Sequence, residues 1–149
     1  MSITIKNLES AFAGESQAFT KYMYFAKLAR AEGNEEVAKH FEHTASQELL
    51  HAHGHLELLV GKPTTKECLQ MAIEGETYEF TTMYPEFLNK AMEEGDYAAA
   101  KEAKTQIAES KEHASEFVTM LKKAEKRFAA LAKVEKRHAA AYQSKLEAL

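Results

Sequence analysis

Two stretches of this 149-residue chain spell the same chemical word: Glu48-Leu49-Leu50-His51 and Glu135-Lys136-Arg137-His138 are both Glu-x-x-His. Glu76 and Glu79 form a Glu-x-x-Glu pair, and Glu15 stands alone. Residues three apart share a helix face. Each Glu-x-x-His can therefore grip one metal ion, and a carboxylate has a second oxygen with which to bridge to another. One Glu from each of two helices, plus Glu-x-x-His from two more, is the donor set of a carboxylate-bridged di-metal centre inside a four-helix bundle. Hard carboxylates with one imidazole per metal favour iron or manganese over zinc or copper.

Those residues need helices to position them, and the chain's punctuation supplies four or five. A first helix is predicted from about Ile5 to Glu32, closed by Gly33-Asn34. A second runs from about Glu35 to Val60, with Asn34 as its N-cap and Gly61-Lys62-Pro63 as its stop. Thr64-Thr65-Lys66-Glu67 reads as a capping box opening a third helix that continues to about Glu94. Pro85 lies inside it and removes a hydrogen bond near Thr81, so a local distortion is expected there. Asp96 caps the remaining stretch, and nothing after it breaks the helical pattern. That stretch is either one helix of roughly 80 Å or two helices with a turn near Lys122 to Lys126.

The glutamates lie on apolar stripes rather than on solvated faces. Glu15 falls within Leu8, Phe12, Phe19, Tyr22 and Ala26. Glu48 falls within Val37, Phe41, Ala45, Ala52 and Leu56, flanked by His51. Glu76 falls within Leu69, Ala72, Phe80 and Met83, and Glu135 within Phe128, Leu131, Ala139, Tyr142 and Leu146. A carboxylate on a core-facing stripe is costly unless it is paired or metal-bound. Four of them, one near the middle of each helix, point to a metal.

Composition bounds the rest. The length fits a single domain spanning 1–149, and an all-helical bundle of that size can bury a core. A formal net charge of −4 gives no footprint for nucleic acid or an anionic membrane. The apolar runs are too short to span a bilayer. No charged-then-apolar leader opens the chain, which sets the cytoplasm as the expected location. The lone Cys68 excludes an internal disulfide and any Cys-x-x-Cys metal site.

Three segments carry a family resemblance. Ala11-Phe-Ala-Gly-Glu-Ser-Gln-Ala18, followed by Tyr22-Met-Tyr-Phe-Ala26, resembles the first helix of a rubrerythrin. Gly75-Glu-Thr-Tyr-Glu79, followed by Met83-Tyr-Pro-Glu86, resembles the third, and Lys133-Val-Glu-Lys-Arg-His138 the closing Glu-x-x-His helix. The resemblance implies an all-α, ferritin-like four-helix bundle with an additional or extended C-terminal helix, holding two iron ions, with manganese or zinc as substitutes. It implies a di-iron peroxidase that reduces hydrogen peroxide to water in oxidative-stress defence. Ferritin-like ferrous iron oxidation and storage is the alternative. It makes Glu15 a terminal ligand, Glu48 and Glu135 bridging carboxylates, His51 and His138 the imidazoles, and Glu76 and Glu79 the completing ligands. A ligand exchange between His51 and Glu79 at one iron is implied, and Tyr22 and Tyr84 match tyrosines that hydrogen-bond to ligand carboxylates.

The chain departs from the family pattern twice. A four-cysteine rubredoxin tail is missing, as in the tail-less form resembling sulerythrin. The expected partner is then an external electron donor, a rubredoxin-like protein or a reductase. Second, about 25 extra residues precede the closing motif, and the family's spacing from Gly95 lands on Ser110-Lys-Glu-His113 instead. That segment reads as a degenerate copy in which Ser110 has replaced the bridging Glu. Because Glu135 is central on its apolar stripe, the ligands are assigned to Glu135 and His138, with His113 as the alternative. The short connection from Val60 to Glu67 also favours a homodimer in which helices are swapped.

Overall fold

The computed structural model describes residues 2–148, which are helical almost throughout. The fold class is all-α. The elements are α1 (Ile3–Ala31), α2 (Glu35–Val60), α3 (Thr65–Tyr78), a π-helical turn (Glu79–Met83), α4 (Tyr84–Glu94) and α5 (Tyr97–Glu147). They divide into two compact units, one ending at Lys62 and the other beginning at Pro63. Among the described residues no helix is long and apolar enough to cross a membrane.

The first unit is a hairpin of α1 and α2. The Ser2 side chain accepts the Ile5 N–H to cap α1, and Gly33, at φ 83°, turns the chain as only glycine does without strain. Asn34 takes the N-cap position of α2 without a side-chain capping bond. Arg30 fastens the turn instead, reaching Glu35 at 3.0 Å and Glu42 at 2.8 Å. Its hydrogen bonds hold both carboxyls below the usual range. The helices meet through small residues, Ala26, Ala29, Ala38, Ala45 and Ala52. Tyr22, Phe25 and Phe41 form an aromatic cluster, with Phe25 edge-on to Phe41 at 5.6 Å.

In the second unit α3 and α4 lie along α5. The capping box forms as expected: the Thr64 N–H donates to Glu67 at 2.7 Å, and the Glu67 N–H donates to Thr64 Oγ1 at 3.3 Å. The distortion expected around Pro85 is the π turn. Proline has no N–H to give the Thr81 carbonyl, and the chain widens so that the Tyr84 N–H reaches the Glu79 carbonyl five residues back. Gly95, at φ 76°, ends α4, and the Asp96 side chain caps α5 through the Ala99 N–H at 2.9 Å.

No turn interrupts α5 near Lys122 to Lys126; residues 97–147 are one helix of 51 residues. Its first half packs on α3 and α4 through Ala100, Ala103, Ser110 and Ala114. The Lys66–Glu125 ion pair, 3.0 Å, marks the level of the first turn of α3. Beyond it, every described residue from 125 to 148 is exposed. The buried apolar residues are all alanines, and Phe87, Phe128 and Leu131 are each half exposed. Single helices and pairs of this length leave apolar faces uncovered, and such faces mark contact surfaces.

Candidate metal centre

Among the described residues one group of metal-ligand side chains converges, and it lies in the first unit. In the first, α1 supplies Glu15 and α2 supplies Glu48 and His51, one helical turn apart. His51 Nδ1 lies 3.0 Å from Glu48 Oε2 and 3.8 Å from Glu15 Oε2. One ligand atom from each residue falls within 4.8 Å of the other two. Both carboxylates are partly buried and the imidazole is exposed. Three convergent donors, two of them anionic, suit a divalent cation.

In the second unit Glu76 and Glu79 meet Ser110 and His113 in two pairwise contacts, without three ligand atoms converging as in the first. Glu76 ends α3, Glu79 opens the π turn, and α5 brings the other two across. The buried Ser110 hydroxyl donates to Glu79 Oε2 at 2.8 Å. His113 Nδ1 lies 3.4 Å from Glu76 Oε2. That contact is not aligned as a hydrogen bond, so Glu76 Oε2 is buried with no donor. A buried carboxylate oxygen without a partner is expensive. Burial, and then the negative charges of Glu79, Glu102 and Glu76, push the Tyr84 phenol above its usual pKa. It stays protonated and can donate.

The structure therefore gathers Glu15, Glu48 and His51 in one cluster and Glu76 and Glu79 in another. Within the second unit it does not bring Glu135 and His138 to Glu76 and Glu79. Both are exposed on the free half of α5, and Glu135 is roughly 37 Å along the axis from Ser110. His113 and Ser110 stand beside Glu76 and Glu79 instead. Sequence reasoning read Ser110 as the replacement of a bridging Glu in a degenerate copy of the motif; its bond to Glu79 depends on a helix pairing that spacing alone does not reveal. Tyr22 sits in the aromatic cluster, and among the described residues neither Tyr22 nor Tyr84 donates a hydrogen bond to a ligand carboxylate. The π turn at Glu79 is of the kind often found at functional sites. It shifts the helical phase just where the second unit presents a ligand.

A family model described as Rubrerythrin matches residues 6–146. Nigerythrin of Nitratidesulfovibrio vulgaris is 40% identical over 110 residues, covering 64% of this chain and 54% of its own length. Rubrerythrin of Porphyromonas gingivalis is 43% identical over 107 residues, covering 63% and 54%. The chain thus spans about half the length of these curated relatives. Rubrerythrin-1 of Clostridium acetobutylicum is 33% identical over 139 residues, covering 82% and 71%. Among solved structures, fully reduced, all-ferrous nigerythrin aligns with a TM-score of 0.42 at 32% identity, covering 84% of this chain and 69% of that one.

Proposed function

Because the chain belongs to the rubrerythrin family, we propose that it is a non-haem di-iron peroxidase that reduces hydrogen peroxide to water with electrons from an external donor. The observation that carries this is the convergence of Glu15, Glu48 and His51, with their ligand atoms within 4.8 Å. The orphaned oxygen of Glu76 supports a second cation-seeking half. Bound iron supplies the electrons: one peroxide, two electrons and two protons give two waters.

The chain's own residues hold and steer. Glu48 and His51 grip from one helical turn, with Glu15 facing them across the hairpin. Glu76, Glu79 and His113 are the candidate ligands of the second unit, and the Ser110 hydroxyl fixes one oxygen of Glu79. Tyr84 remains a phenol near Glu79 and Glu76. It is a hydrogen-bond donor available to a peroxide oxygen or to a ligand carboxylate. The protein works as a homodimer in the cytoplasm, in oxidative-stress defence. A rubredoxin-like protein or a reductase supplies the electrons. Stopped-flow oxidation of the ferrous-loaded protein by peroxide and by dioxygen tests this. Peroxide is expected to react faster; equal rates would sink it.

A further inference from the structure

The free half of α5 is chemically unlike the rest of the molecule. Residues 122–148 carry eight Lys or Arg against three Glu, whereas residues 63–121 of the same unit carry five against twelve Asp or Glu. The basic arm extends about 33 Å past the Lys66–Glu125 pair. Its apolar stripe, Phe128, Leu131, Tyr142 and Leu146, is at least half exposed. Successive helical residues advance about 100°, so 25 residues return nearly to the starting angle. The stripe therefore continues the face that Ser110 and Ala114 bury against α3 and α4 in the first half.

We propose that this arm docks along the acidic α3–α5 body of a second copy, the two α5 helices running antiparallel about a two-fold axis near Lys122. Three features select that partner. First, arm and body have opposite charge, so each arm meets an acidic surface when the helices run antiparallel and meets another basic arm when they run parallel. Second, the acidic body exposes apolar side chains to receive the stripe, among them Tyr78, Phe87, Met92 and Tyr97. Third, Glu135 and His138 sit within the stripe. A lipid interior would penalise them, whereas a protein groove can satisfy them.

The register comes from charge. The sign of the charge changes near Lys122, so laying each basic arm along the other copy's acidic body puts the shared axis there. Glu135 of one copy then lies at the level of Ser110 in the other, the buried position where this chain has a hydroxyl in place of a carboxylate. Such a pairing is self-complementary and closes as a dimer. It gives a form to the dimer of the proposed function but needs no metal, so it can be tested on metal-free protein.

Pulsed-dipolar EPR on the full chain, in a Cys68→Ser background, reads the geometry. With antiparallel pairing, the distance between like labels grows by about 3 Å per residue away from the axis. A spin label at Lys123→Cys is expected to give a short intermolecular distance, and one at Gln143→Cys a distance of roughly 60 Å. Short distances at both positions would mean a parallel pairing, and no intermolecular coupling would mean no pairing; either overturns the proposal. Reversing Lys133, Lys136 and Arg137 to Glu, all exposed, is expected to raise the dimer dissociation constant at least tenfold by sedimentation at low salt. An unchanged constant would contradict the docking. So would an arm that binds phosphatidylserine vesicles while the protein sediments as a monomer.

Discussion

The two ligand clusters differ in what holds them together. Glu15, Glu48 and His51 already face one another, and the imidazole lies between two carboxylates. In the second unit, Glu79 is held by a neutral hydroxyl and Glu76 keeps a buried oxygen with no donor. The first cluster is a preformed grip, and the second is a set of anions waiting for positive charge. Substitutions in each unit can reveal how strongly it holds a cation.

The largest effects should come from removing one carboxylate on either side. Glu48→Ala and Glu76→Ala are each expected to lower the metal bound per chain by at least one ion, measured by elemental analysis after anaerobic loading. A variant that kept the wild-type metal content would show that the substituted carboxylate holds no metal. Next is Ser110→Glu. It buries a second carboxylate beside Glu79, which should destabilise the metal-free protein by about 3 kcal/mol in chemical denaturation. Metal should restore that stability, because a bridging ligand has been supplied. A variant equally weakened with and without metal would show that Ser110 does not face the centre.

Smaller effects distinguish the two copies of the closing motif. His113→Ala should weaken metal binding about tenfold or more, and Ser110→Ala by about tenfold through a loosened Glu79, both by competition titration. His138→Ala, titrated at a dilution where the protein is monomeric, should leave the affinity of the remaining ligands unchanged. If His138→Ala mattered more than His113→Ala under those conditions, the arm would be the closing element. The smallest effect lies far from both clusters. Thr64→Ala removes the α3 cap at a cost of about 1 kcal/mol by thermal melting. The Thr64 backbone and side chain hold the Glu67 carboxyl below its usual pKa. The cap's contribution is therefore fully present above the ordinary carboxylate pKa of about 4 and fades as pH falls through the lower folded value. The gap between wild type and variant should shrink in acid.

Much of this was legible in the residues. Period and punctuation gave the helices, because Gly33, Gly61 and Gly95 each sit where the chain turns with positive φ. Glu-x-x-His spacing gave the Glu48–His51 grip, since helical geometry is local. What spacing could not give was how far the last helix runs. Lys122 to Lys126 contains nothing that breaks a helix, and the length of the stretch left one long helix and two helices with a turn there both open. In its absence, Ser110 and His113 stand beside Glu79 and Glu76, a result of how α5 pairs with α3 across the unit. The π turn was half legible: Pro85 announced a distortion, but whether the chain would kink or widen depended on whether the Tyr84 N–H could reach the Glu79 carbonyl.

The most direct measurement is an anaerobic ferrous titration of the metal-free full chain, followed by integer-spin EPR and repeated on Glu76→Ala. Saturation at two irons per chain, with a coupled-pair signal that the variant abolishes, is expected. Saturation at one iron or none, or a variant that binds as the wild type does, would contradict a di-iron centre that uses Glu76.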